Sequence, residues 1–316
     1  MSLLTIFATA ILPIVAVSAV GFALGRYEDV EVDALNTVTV YVLAPALVVH
    51  SLTTSTVTGG TILRVVVAVV AFTAAMLAVA EVVGRSFGQS EPLLGAFVLV
   101  AIFANTGNYG IPLADFVFGA QGRSLAVLVT ALQVVLLYTL GIYIAARGAD
   151  SDPVSDMKQV FGVPLVYAVV LSLAVRWLGV APPADSTLME TLEILGNASI
   201  PIMLLILGIQ LSNVDMGGTL RPVGVASALK LVLAPVVAIA AVLLLGFQDP
   251  TVARVVVLLL ATPTGVTPII LVGAFSGAQD GFAPGEFVSA TVLVTTVLSV
   301  LTVTVLVAVL QSGAVI

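Results

Sequence analysis

The chain has 316 residues, of which 60% are hydrophobic and 9% charged, and its mean hydropathy is +1.24. Soluble domains carry about a quarter charged residues, so this composition excludes a water-soluble globular protein. A net charge of −7, with only eight Arg and two Lys, argues against nucleic-acid binding, and the lack of Cys removes disulfides and thiolate metal sites.

Apolar runs long enough to cross a hydrocarbon core of about 30 Å, at about 1.5 Å per residue, recur along the chain. Ten spans are expected, at roughly 3–24, 34–56, 61–84, 92–119, 122–146, 160–179, 187–211, 222–246, 250–276 and 283–309. The first lacks a basic start and a small-residue cleavage site, so it reads as a retained helix rather than a signal peptide. Tight polar turns such as GRYEDVEVD and GRSFGQSEP separate most spans. The longest polar connection, 147–159, lies midway between 1–146 and 160–316 and is too short to be a domain. An all-α polytopic membrane protein in two halves is the expectation.

The halves echo each other. Pro45 in span two and Pro201 in span seven stand 156 residues apart, as do Pro112 in span four and Pro268 in span nine. FGAQG at 118–122 is echoed by SGAQD at 276–280, and SEPLL by QDPTV, both at an offset of 158. With five spans per half, the second half begins from the opposite side of the membrane. That is the inverted repeat of many secondary transporters. Loops on one side hold Arg26, Arg85, Arg147, Lys158 and Arg221, and those on the other hold Arg64, Arg123, Arg176 and Arg254. The slight bias puts 147–159 in the cytoplasm and both termini outside.

Spans four and nine carry the chemistry. ANTGNYGIPLADF at 104–116 interrupts the first, with Gly107, Gly110 and Pro112 opposing a continuous helix. ATPTGVTPII at 261–270 does the same in the second through Pro263, Gly265 and Pro268. Broken backbone at membrane depth must face protein or a water-lined cavity, so each span reads as two half-helices meeting near the bilayer centre. The N–H groups of the half-helices that begin near Pro112 and Pro268 favour an anion. Asn105, Asn108, Thr264 and Thr267 add uncharged hydrogen-bonding groups, a composition suited to a carboxylate-bearing organic ligand. The freed carbonyls could hold Na⁺ instead, and a kink whose Asn and Thr re-satisfy the backbone is the plainer alternative.

Ionisable groups inside spans are functional candidates. Asp115, in the first turn after Pro112, is either a helix cap or a site of proton or cation coupling. Lys230 in span eight is expected to snorkel to the interface, with substrate attraction as the other reading. His50 is placed near the interface, and Glu81 is expected to reach headgroups. Glu190, Glu193 and Asn197 mark the start of span seven, while Gln133 and Gln210 are expected to bond between helices. No enzyme or nucleotide-binding motif is present, so any transport is driven by a gradient, and a channel is the rival class.

LNTVTVYVLAPALVV (35–49), ANTGNYGIPL (104–113), LGNASIPIMLLILGIQL (195–211) and ATPTGVTPIILVGAFSG (261–277) together resemble the auxin efflux carrier family. That family includes plant auxin exporters and prokaryotic relatives often described as organic-acid permeases. The resemblance implies ten helices in two inverted five-helix repeats, as in sodium–proton antiporters and bile-acid symporters, with crossing helices four and nine at the substrate site. It implies a scaffold of helices one, two, six and seven that supports a homodimer, and a moving unit of the other six. It further implies that Asn105, Asn108 and Pro112, with Pro263 and Thr264, bind the anion. Adding Gly110, Thr267 and Pro268 completes the candidate substrate set, with Asp115 as the candidate ion-coupling residue, no cofactor, and Na⁺ as an alternative coupling ion. The second crossing carries Thr264-Gly265-Val266-Thr267 and no Asn, so auxin itself is not carried over. The expected function is secondary transport of a small organic anion across the cell membrane.

Overall fold

The computed structural model describes residues 3–28, 30–147, 157–214, 220–275 and 284–316. Among the described residues the chain is helical, with no strand beyond an isolated bridge. Among the described residues seven helices are long and apolar enough to cross a membrane: α1 (Leu3–Tyr27), α2 (Val32–Thr53), α3 (Gly59–Ser86), α5 (Thr106–Ala145), α7 (Thr187–Ser212), α8 (Arg221–Leu245) and α11 (Pro284–Ser312). Shorter apolar helices lie between them, namely α4 (Leu93–Ile102), α6 (Pro164–Trp177), α9 (Pro250–Leu260) and α10 (Thr267–Phe275). The protein is a multi-pass membrane protein. At 40 residues, α5 would run about 60 Å if straight. It turns sharply at Gly119, whose φ of 61° and ψ of −149° suit a residue without a Cβ. Only the ends of the 147–159 connection are described, and SGAQD at 276–280 lies outside the described residues.

Proline shapes these helices locally. Pro13, Pro45, Pro112 and Pro235 each follow, by two residues, a five-residue π-type turn: Phe7–Ile11, Thr39–Leu43, Thr106–Gly110 and Leu229–Leu233. A proline ring collides with the carbonyl four residues back and offers no N–H. Widening the turn relieves the collision and keeps most carbonyls bonded.

The centre is built from α4 and α9. Leu94 to Ile102 are all buried in α4, as are Val252, Ala253 and Val255 to Leu260 in α9. Their sequences, LLGAFVLVAI and PTVARVVVLLL, are apolar on nearly every face, as a helix surrounded by protein must be. The outer surface is apolar too, with Leu4, Ile194, Leu244 and Leu301 exposed. No hydrophobic drive pulls helices together in lipid, so close packing of small residues replaces it. A Cβ on Gly208 of α7 would meet the Ser18 carbonyl of α1, and one on Gly21 would meet the Leu205 carbonyl. One on Gly196 would meet the Leu47 backbone of α2.

Polar side chains tie the helix ends together at two levels. At one, Arg64 donates to the Gly246 carbonyl at 2.9 Å, Gln121 to Asp249 at 2.8 Å and Arg176 to the Val57 carbonyl at 2.7 Å. At the other, Arg147 donates to Glu81 at 2.8 Å and lies 3.6 Å from Glu91, while Arg221 covers the Phe87 ring at 5.3 Å. Glu81 does not reach for headgroups: Arg85 at 2.6 Å and Arg147 occupy its two oxygens.

The glycine contact between α1 and α7 is open to a direct test. Gly208→Ala should destabilise the protein by about 1–3 kcal/mol, because backbone rather than a yielding side chain stands in the way. Gly224→Ala, which meets nothing within 4 Å, should be neutral or stabilising. Thermal unfolding of the detergent-purified variants reads both.

Candidate functional site

The two interruptions meet in space. The segment after α4 leaves helical geometry at Phe103 (φ −93°, ψ 114°) and Asn105 (φ −78°, ψ 66°) and becomes helical again at Thr106. The corresponding segment runs from Ala261 to Val266, between α9 and α10. Ala104 and Thr264 form an antiparallel bridge. Asn105 N–H donates to the Pro263 carbonyl at 2.7 Å, and Gly265 N–H donates to the Phe103 carbonyl at 3.1 Å. Each break thus supplies hydrogen bonds that the other lost, which is how irregular backbone persists without water.

Side chains complete the closure. Thr264 is fully buried, and its hydroxyl donates to the Val100 carbonyl at 2.9 Å while its N–H donates to Thr295 Oγ1 at 3.2 Å. The Thr262 hydroxyl donates to the Leu259 carbonyl at 2.7 Å. A Cβ on Gly110 would crowd the Leu259 side chain and the Asn105 carbonyl, which accepts from Gly110 N–H at 2.9 Å. Pro112, Pro263 and Pro268 are buried, whereas Asn108 and Thr267 are half-buried. Of the candidate set, Asn105, Gly110, Pro263 and Thr264 are linked directly at the crossing. Asp115 belongs to a different group, where its carboxylate accepts from Arg123 Nε at 2.8 Å.

The first break is left with open hydrogen-bonding capacity. Asn105 Nδ2 is buried without a partner, and the Asn105 side chain does not cap the helix that follows. Thr106 Oγ1 donates to Gln133 Oε1 at 3.4 Å, leaving Gln133 Nε2 unpartnered, and Thr130 Oγ1 is unpartnered as well. A Cβ on Gly107 would sit 3.9 Å from the Thr130 methyl group, so this hydroxyl-bearing residue borders the break. Buried polar groups without partners cost about 1–3 kcal/mol each. A cluster of amide and hydroxyl groups in this state is fitted to a ligand that accepts hydrogen bonds. The second break has no such open side chains: its threonines at 262 and 264 already bond backbone.

Lys230 departs furthest from expectation. It is fully buried rather than snorkelling, on the wide turn Leu229–Leu233 of α8. Its ammonium donates to the Leu260 carbonyl at 3.2 Å and lies 5.8 Å from the centroid of the Phe72 ring. Among the described residues no carboxylate lies within 4 Å of it. Its basic nitrogen therefore stands against the C-terminal, negative end of α9, three residues before Pro263. The negative ends of both half-helices are thereby met by Lys230, threonine hydroxyls and crossing N–H groups. The helix that begins at Thr106 points its N-terminal, positive end at this break, and such an end favours an anion.

Other sequence candidates lie apart. His50 Nε2 is 4.0 Å from Glu193 at the ends of α2 and α7. Gln210 Oε1 is buried without the interhelical partner expected of it. Sequence reasoning missed Thr106 and Thr130, which carry no signal beyond nearness to the break, and Tyr109, whose hydroxyl accepts from Ser299 at 3.2 Å. Arg123 was visible only as a loop charge.

A family model described as "Membrane transport protein" matches residues 6–307. The chain is 27% identical over 96% of its length, and 96% of the relative's, to a Rhizobium meliloti protein named "Putative malonate transporter". It is 22% identical to an uncharacterized transporter of Methanothermobacter thermautotrophicus, over 87% of this chain and 88% of that one. A similar transporter from Methanocaldococcus jannaschii is 23% identical over 60% of this chain and 62% of its own.

The Thr264 contacts are structural as they stand. Thr264→Val keeps the shape but strands the Val100 carbonyl, and should lower stability by about 1–3 kcal/mol. Thr264→Ser should retain most of it. Thermal melting of both variants beside the unaltered protein checks the difference.

Proposed function

Because the chain belongs to the auxin efflux carrier family of membrane transport proteins, we propose that it is a secondary carrier for a small organic anion. The observation that carries this reading is the crossing itself. Two broken helices close each other's backbone while Asn105, Gln133 and Thr130 keep unpartnered polar atoms beside the first break. A carboxylate accepts hydrogen bonds from amides, hydroxyls and helix N-termini alike. Lys230 adds a buried basic nitrogen, and an ionisable group kept this deep is costly unless it serves a function. The relative named for malonate makes malonate the first substrate to try.

The proposed architecture is ten crossings in two inverted repeats, 1–146 and 160–316, embedded in the cell membrane with both termini outside. Spans one, two, six and seven form a scaffold that pairs with a second copy, and the other six carry the crossing between the two sides. Asn105 and Asn108 orient the carboxylate; Gly110, Pro112, Pro263, Thr264, Thr267 and Pro268 set the backbone around it. Binding and release then alternate between faces as the crossing unit slides against the scaffold.

Proteoliposome counterflow with labelled malonate tests this proposal. Saturable uptake, accelerated by malonate on the opposite side, is expected of a carrier, whereas a channel conducts without such acceleration. Imposed Na⁺ and pH gradients separate uniport from coupled transport. Asn108→Ala should raise the half-saturating concentration far more than His50→Ala, and equal effects would sink the assigned site. Lys230→Met, of similar volume, should fold at least as stably, since replacing a buried ionisable group by an apolar one is often neutral or favourable. Its transport should fall about ten-fold, the scale of one lost hydrogen bond to a charged ligand.

A further inference from the structure

Away from the crossing, an open recess of about 330 Å³ lies between α1, α7 and the turn in α5. Val17, Asn197 and Pro201 line one side of it, and Asp115, Phe116 and Arg123 the other. Asp115 and Arg123 stand on opposite sides of Gly119, so the sharp turn there brings them together. Arg123 Nε donates to Asp115 Oδ1 at 2.8 Å, and its Nη1 donates to Asn197 Oδ1 at 2.6 Å. The Arg123 side chain is 20% exposed and that of Asp115 16%, and both residues line the recess.

The chemistry of this bridge is lopsided. A guanidinium fork is matched to carboxylates and commonly binds them with two parallel hydrogen bonds. Here one of its acceptors is charged and the other, the Asn197 amide oxygen, is neutral. An incoming carboxylate that took the place of Asn197 would replace a neutral acceptor by a charged one. It would also cut the side-chain bond that joins the start of the second α5 segment to α7. Asp115 limits this exchange, because its own charge already occupies half of the guanidinium's capacity.

We propose that Arg123 is a second anion site, at which a substrate carboxylate displaces Asn197 and releases α5 from α7 before the anion reaches the crossing. Asp115 acts there as a built-in competitor that keeps the site weak enough to unload. This proposal rests on the organic-anion reading above, and it assigns Asp115 a role opposite to ion coupling. Removing a competing charge strengthens the site, whereas removing a coupling carboxylate weakens transport.

Malonate counterflow in proteoliposomes, with a charge series that leaves Arg123 in place, decides the matter. Asp115→Asn should lower the half-saturating malonate concentration about three-fold, the scale of one partly exposed charge pair. Asn197→Asp, which saturates the guanidinium with a second carboxylate, should raise it by a similar factor. Arg123→Gln should raise it about ten-fold or more, Arg123→Lys should restore part of the loss, and Asp115→Asn should bring no gain in the Arg123→Gln background. Melting curves on each variant guard against misfolding; should Arg123→Gln fail to fold, the first two variants decide alone. A higher half-saturating concentration in Asp115→Asn, or no rise in Asn197→Asp, overturns the proposal. So does an Asp115→Asn protein that loses a response to imposed Na⁺ or pH gradients. If the unaltered protein shows no saturable counterflow with malonate or related mono- and dicarboxylates, the carrier reading itself fails, and this site falls with it.

Discussion

Two hydrogen bonds between interrupted segments, from Asn105 N–H to the Pro263 carbonyl and from Gly265 N–H to the Phe103 carbonyl, set the terms for the rest of the structure. A helix that stops inside a membrane leaves donors and acceptors that water cannot reach, each costing several kcal/mol. One break alone would have to be repaired by side chains. Two breaks laid antiparallel repair each other, and the bridge at Ala104 and Thr264 is the smallest unit of sheet that can do so. The need for close approach explains the small residues around it, since a Cβ on Gly265 would come within 3.3 Å of the Ala104 carbonyl. It also explains why α4 and α9 are short and buried all round: each is half of a crossing enclosed by the full-length helices.

Charge follows from the same constraint. Stopping α9 at Leu260 places the negative end of a half-helix in the interior, and Lys230 is the group that meets it. At the end of α4 the same role falls to the Thr264 hydroxyl and Gly265 N–H, which carry no net charge. The compensation is thus unequal: one break acquires a buried basic nitrogen nearby, while the other keeps unpartnered amides and hydroxyls. Towards the helix ends, where desolvation is less severe, ionic groups pair conventionally. Glu81 with Arg85 and Arg147 is one such cluster, and it ties α3 to the residues that end α5.

The breaks were legible because Gly and Pro mark backbone that cannot continue as helix, and because the marks recur at a nearly constant offset. Apolar helices were legible from hydropathy, seven of them long enough to span a membrane among the described residues, and even the turn separating expected spans four and five falls at a glycine. Side-chain direction was not. Thr264 and Asn105 look equivalent as polar residues at a break, yet one hydroxyl closes α4 and the other side chain leaves its amide nitrogen open. Lys230 follows an ordinary snorkelling pattern in sequence, but the wide turn ahead of Pro235 lies inside the fold and fixes the ammonium against Leu260. Arg123 counts as a loop charge until the Gly119 turn sets it beside Asp115. Each miss arises where a backbone irregularity redirects a side chain, which periodicity cannot anticipate.

This inequality between the breaks bears on how an anion could pass. Were both breaks to offer charge, the site would hold its ligand against release; were neither to do so, desolvating a carboxylate would find no compensation. In the proposed carrier, uncharged donors at Asn105, Gln133 and Thr130 would supply direction, and Lys230 would stand behind the second break, already hydrogen-bonded to Leu260. On that proposal affinity and release would be controlled by different residues: donors that lose their partner when the anion departs, and a basic group whose contact with the Leu260 carbonyl remains.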